Sequence, residues 1–136
     1  MNERLNRVRN ARFEYVRLLQ KVEELETIAT RTVPVLSQTP ESRGSLRLQD
    51  DTWAKLADYK ESCKEALNKY LTDCKELEKE LECIKSPRIR TAMRYRYIDS
   101  FRITDIATAM GYEQRQIRRF LRTGEKIYSE RIGEDV

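Results

Sequence analysis

Gly111 is the position that most restricts how this chain can fold. It stands inside the 20-residue stretch Ile103–Arg122, which reads ITDIATAMGYEQRQIRRFLR. Helical periodicity runs up to the glycine and resumes beyond it. The chain must therefore turn sharply there, and such a turn calls for φ > 0, which a residue without Cβ adopts freely. Ala107 lies four residues earlier, where a second helix crossing the first leaves room for a small side chain only. Ile106 and Met110, one turn apart, face inward from the first helix, Tyr112 closes the turn, and Ile117 and Phe120 face inward from the second. Glu113, Gln114, Arg115, Gln116, Arg118, Arg119 and Arg122 are left on the outer faces. Arg pairs bidentately with guanine, Gln with adenine, and either can hold a phosphate. This is the residue pattern of a helix-turn-helix, with a recognition helix over about 113–128 lying in the major groove of double-stranded DNA. The competing reading, an amphipathic helical hairpin with a basic surface, does not explain why seven small or apolar positions fit one template.

Charge follows the motif. Residues 86–122 hold nine Arg and no Lys against Asp99, Asp105 and Glu113, whereas residues 50–85 hold seven Lys against ten acids. Arg suits phosphate and base recognition better than Lys does. Charged residues make up 37% of the chain and the hydrophobic class 39%, too charged for one thick core and too apolar for full disorder. Long helices with narrow apolar stripes fit that balance, as do only four Gly and three Pro.

The chain has no histidine, so Ser-His-Asp and Cys-His catalysis cannot be built within it, and it has no glycine-rich phosphate loop. No catalytic residue and no cofactor is expected. Cys63, Cys74 and Cys83 lack CxxC spacing, so no metal site is expected either; they read as reduced thiols in cytosol. No apolar run reaches the ~18 residues of a membrane span, and the first residues lack the apolar segment of a secretory signal.

Two long amphipathic segments precede the motif. In residues 3–29, Val8, Ala11, Tyr15, Leu18, Val22, Leu25 and Ala29 alternate steps of three and four, a heptad seam that Leu5, Leu19 and Ile28 widen. Arg4, Arg7, Arg9, Arg12 and Arg17 form either a solvated face or a second DNA contact. Residues 30–49, with Pro34, Pro40 and Gly44, read as a loop, or alternatively pack Val33, Val35 and Leu36 across a hairpin. Residues 51–85 read as the second long helix, capped by Asp50 or Asp51. Trp53 and Leu56 start its stripe, and Cys63, Leu67, Tyr70, Cys74, Leu77, Leu81 and Ile84 form its seam. The acids and lysines around that seam read as a solvated face. Ser86-Pro87 starts a supporting helix, SPRIRTAMRYRYIDSF, with Ile89, Ala92, Met93, Tyr97 and Ile98 inward and Arg88, Arg90, Arg94 and Arg96 available to phosphates.

The expected fold is all-α: a long antiparallel, coiled-coil-like helical hairpin followed by a C-terminal helix-turn-helix domain. Residues 1–85 form the hairpin and oligomerisation region with its loop at 30–49, residues 86–130 the DNA-binding domain, and residues 131–136 a frayed tail. Residual seam surface favours self-association, a dimer in the first instance, with an oligomeric ring as the alternative.

Residues 86–128 resemble the C-terminal helix-turn-helix of the sigma-70 region 4 superfamily, and more closely the small phage-encoded sigma-like transcriptional regulators of prophages. The resemblance is carried by MRYRYID (Met93–Asp99), DIATAMGY (Asp105–Tyr112) and RQIRRF (Arg115–Phe120). It covers about a third of the chain. It implies promoter or operator binding in a bacterial host, at the nucleoid, with Gln114, Arg115, Gln116, Arg118 and Arg119 facing the groove and Thr104 and Arg122 near phosphates. Host RNA polymerase is a further candidate partner. Arg102 stands where such families commonly open the first helix with Ser or Thr, so the cap is lost or moved to Thr104, and Arg102 joins the residues facing DNA. No counterpart of sigma region 2 is evident, which favours a regulator acting at one site over a complete sigma factor. A small terminase subunit that recognises viral DNA for packaging is the alternative, although its usual order puts the DNA-binding part first. A structural coiled-coil adaptor is a third possibility.

Overall fold

The computed structural model describes residues 3–32 and 42–132, and among them the protein is all-α, with five helices and no strand. These are α1 (Glu3–Thr32), α2 (Ser42–Leu81), α3 (Pro87–Tyr97), α4 (Ile103–Met110) and α5 (Gln114–Arg131). They form two compact units: one from α1 up to Ala11 and the chain from Tyr70 onward, the other from Arg12–Lys69. Both long helices contribute to both units.

In the second unit, Leu18, Val22 and Leu25 of α1 bury against Leu56 and Cys63 of α2, with Tyr15, Leu19, Tyr59 and Ala66 partly covered beside them. Of the seam expected for α1, Leu18, Val22, Leu25 and Ala29 are buried here and Tyr15 and Leu19 partly so, whereas Ile28 is 48% exposed and does not widen the stripe. Trp53 is 45% exposed, and among the residues of α2 whose burial is described the first buried one is Leu56. Lys60 and Glu26 pair across the helices at 3.3 Å.

The helix limits differ from the sequence expectation. α1 runs to Thr32 and α2 starts at Ser42, so residues 30–32 and 42–49 are helix rather than loop, and neither Asp50 nor Asp51 caps α2. Val33, Val35 and Leu36 lie outside the described residues, as do residues 133–136 of the expected tail. Thr27 and Thr30 do not break α1 because their hydroxyls donate back to the Glu23 and Glu26 carbonyls at 3.0 and 2.8 Å.

In the first unit, thirteen buried residues from all five helices and their connections form one core. Leu5 and Val8 come from α1, Leu77 and Leu81 from α2, Ile84 from the turn after it, Ala92, Met93 and Tyr97 from α3 and Ile98 from its end, with Ile106 from α4 and Ile117, Leu121 and Tyr128 from α5. Glu80 holds three of these elements together. Its carboxylate takes Arg4 at 2.8 Å, Arg7 at 3.1 Å and the Tyr128 hydroxyl at 2.5 Å. The expectation that this part of α2 presents a solvated face therefore fails at Glu80, whose side chain is only 17% exposed. Burial alone would raise the Glu80 carboxyl, but hydrogen bonds from Arg4 and Tyr128 and the nearby arginine charges hold it below the usual carboxylate value. Burial and the bond to Glu80 push the Tyr128 hydroxyl up to about 12.

Ser86 is the N-cap residue of α3 with Pro87 at the first helical position, although its side chain makes no capping bond. α3 ends at Tyr97 rather than continuing to Phe101. The chain turns at Ser100 (φ 58), and the Phe101 amide donates to the Tyr95 carbonyl at 2.9 Å while the two rings stack with centroids 5.1 Å apart.

Candidate nucleic-acid interface

α4 is short and is held at both ends by local chemistry. At its start, the Asp105 carboxylate accepts the Arg102 backbone N–H and the Arg102 Nε, both at 3.3 Å. The cap lost with a Ser or Thr at position 102 is thus replaced from the third helical residue, not by Thr104. The Arg102 guanidinium holds the Asp105 carboxyl below its usual range. At its end, Gly111 has φ 73, the left-handed conformation, and its amide closes on the Ala107 carbonyl at 2.9 Å, followed by Tyr112 onto the same carbonyl at 3.2 Å. Nothing stands within 4 Å of where a Gly111 Cβ would lie, so the glycine is needed for its backbone angle and not for space.

α5 then departs from Glu113, an extended N-cap residue. It is pinned by Ile117 and Tyr128, both fully buried, by Leu121, and by Gly124, where the helix comes so close to α3 that a Cβ would lie 2.6 Å from Met93 Cγ. Phe120 is only half-buried and meets Tyr112 edge-on, with centroids 5.2 Å apart and planes at 87°. Leu121, Gly124 and Tyr128, which the turn motif does not include, supply much of the grip. Their i, i+3, i+7 spacing falls within the helix expected over about 113–128, and α5 continues to Arg131.

With that face buried, the opposite one is fixed. Gln114, Arg115, Arg118, Arg119 and Arg122 are exposed, and Gln116 is half-buried on the flank. Arg115, Arg118, Arg119 and Arg122 stand at i, i+3, i+4 and i+7, one face of a helix. Lys126, four residues beyond Arg122 and also exposed, extends that face by a further turn. Arg102 and Thr104 are exposed at the start of α4. Thr104, Thr108, Gln114 and Arg115 border an open cleft between the two helices. The structure therefore brings Thr104, Gln114 and Arg115 to one surface and keeps Arg118, Arg119 and Arg122 on the adjoining helix face.

The arginines of α3 are not all available. The Arg90 guanidinium donates to the Ile84 carbonyl at 3.1 Å and Arg96 to the Phe101 carbonyl at 3.2 Å, each tying down a chain connection. Arg88 is exposed and lies 6.0 Å from the Tyr112 ring centre, a cation–π contact that braces the turn. On α1, Arg4 and Arg7 are committed to Glu80 and are neither a solvated face nor a free DNA contact.

Among the described residues no group of three or more His, Cys, Asp or Glu is placed to hold a metal, and no helix is long and apolar enough to cross a membrane. The three cysteines are free, and burial pushes the Cys74 and Cys83 thiols up, away from the reactive thiolate. No protein-family model, curated protein or solved structure matches the chain.

Proposed function

We propose that this protein is a sequence-specific double-stranded DNA-binding transcriptional regulator of phage or prophage type. In this reading α4, the Gly111 turn and α5 are a helix-turn-helix, α5 is its recognition helix, and α1 and α2 are a hairpin that supports it. The observation that carries the proposal is the division of α5 into two faces. Ile117, Leu121, Gly124 and Tyr128 are buried, which leaves Arg115, Arg118, Arg119 and Arg122 exposed together with Gln114 at the helix start. An α-helix fits the B-DNA major groove, and this set of side chains matches guanine, adenine and phosphate. In this reading Thr104 and Arg102, exposed at the N-terminus of α4, meet the phosphate backbone that the first helix crosses.

Self-association as a dimer is part of the proposal. Phe13, Ile28 and Trp53, at 64%, 48% and 45% exposure, offer apolar surface for it, and a two-fold dimer would read a two-fold operator.

The test is Arg115→Ala and Arg118→Ala, measured by competition between a genome-selected site and its single-base variants. Each substitution is expected to cost about 1–3 kcal/mol at the selected site and to relax preference at one base pair. Equal loss on every sequence would assign those side chains to phosphates instead.

A further inference from the structure

α1 divides its arginines between two tasks. Arg4 and Arg7 turn to Glu80, but Arg9 lines a groove of about 610 Å³ together with Arg96 of α3 and Arg118, Arg122 and Lys126 of α5. Five cations share this groove with one carboxylate, Glu125, and that carboxylate already accepts the Tyr97 hydroxyl. Among the described residues none of the five is in an ion pair, and the only side-chain hydrogen bond any of them makes is Arg96 to the Phe101 carbonyl. Five like charges gathered around a single carboxylate repel one another, a cost that an incoming polyanion reduces.

We propose that this groove seats the phosphodiester backbone of the same duplex that α5 reads, with Arg9, Arg122 and Lys126 as the phosphate clamps. The inference rests on the DNA-binding reading above. Two features choose a backbone over another occupant. The groove shares Arg118 and Arg122 with the outward face of α5 and reaches Ile103 at the start of α4, so it continues the surface proposed to meet DNA. Its cations are also spread over three helices instead of converging on one point, which suits a run of phosphates along a strand. Arg9, far from the motif in sequence, thereby becomes part of the interface, and α1 adds affinity without adding base preference.

The test uses the full chain with Arg9→Ala, Lys126→Ala and the double variant, each checked for unchanged helicity. Affinity is read by fluorescence anisotropy on a selected duplex and on a scrambled one, across a salt series. Each single variant is expected to weaken both duplexes by the same factor and to lower the slope of log K against log salt by about 1. Arg9→Lys should restore most of the loss. If the wild type binds duplexes but the double variant keeps its affinity and slope, the backbone seat is wrong while α5 as the reader stands. If the wild type binds no duplex, both fall. Saturable binding of inorganic pyrophosphate that the double variant loses, with duplex affinity unchanged, would give the groove to a small anion and overturn the proposal.

Discussion

Two glycines in the first unit do opposite work. Gly111 meets nothing within 4 Å and is there for φ 73, whereas Gly124 has an ordinary helical backbone and is there because Met93 and Ile89 leave no room. Gly111→Ala should cost about 1–2 kcal/mol through left-handed strain alone. Gly124→Ala would place a Cβ 2.6 Å from Met93 Cγ, 2.7 Å from its Sδ and 3.0 Å from Ile89 Cγ2. Met93 is completely buried, so its side chain has to shift within the core to make room. Overpacking of that kind costs about 1–3 kcal/mol, more than the ~1 kcal/mol of helix propensity that alanine would add. Denaturant titration should therefore show Gly124→Ala destabilised despite its better helix former. A more stable Gly124→Ala variant would mean that α3 and α5 are not packed as closely as described.

At the level of elements, Glu80 ties α2 to α1 and α5, and this has a pH signature. Its folded-state pKa lies below the ordinary value of 4.5. Its contribution to stability is therefore fully present above that value and is lost as the pH falls through the lower, folded-state pKa. Glu80→Gln should lower stability at neutral pH and flatten the acid limb of the stability profile, measured by urea unfolding between about pH 3 and 7. Parallel acid limbs for the wild type and Glu80→Gln would show that the carboxylate is not held by Arg4, Arg7 and Tyr128. Periodicity made the α1 seam and the inward face of α3 legible, and the Gly111 turn could be placed from its flanking residues. The Glu80 contacts were not legible, because its partners Arg4 and Tyr128 lie 76 and 48 residues away and helix-surface rules see only three or four residues. α2 starts at Ser42 and runs through Gly44, where the sequence reads as loop. One glycine costs only about 1 kcal/mol in a helix, too little to end one that runs 40 residues. On the candidate interface, the outward arginines of α5 followed from the motif, but the place of Arg9 beside them needed the tertiary fold.

For the molecule as a whole, charge and packing are divided along the chain in the same sense. Leu77, fully buried in the core shared by all five helices, lies beneath the same unit that carries the arginine face. Leu77→Asp should therefore disrupt that unit and abolish duplex binding even though the residue lies far in sequence from α5, with circular dichroism reporting the loss of helix. If helicity and light-scattering mass both stay at wild-type values, the core assignment is wrong.

The central claim is that α5 reads duplex DNA from a face fixed by the core beneath it. The most direct measurement is anisotropy of the 136-residue chain, over a salt series, on a duplex selected from its source genome and on scrambled competitors. The expected result is tight binding to the selected duplex that weakens steeply with salt and loses its preference at one base pair in Arg118→Ala. Absence of binding to any duplex at low ionic strength, or a preference untouched by loss of Arg115, Arg118 and Arg119 together, would contradict it.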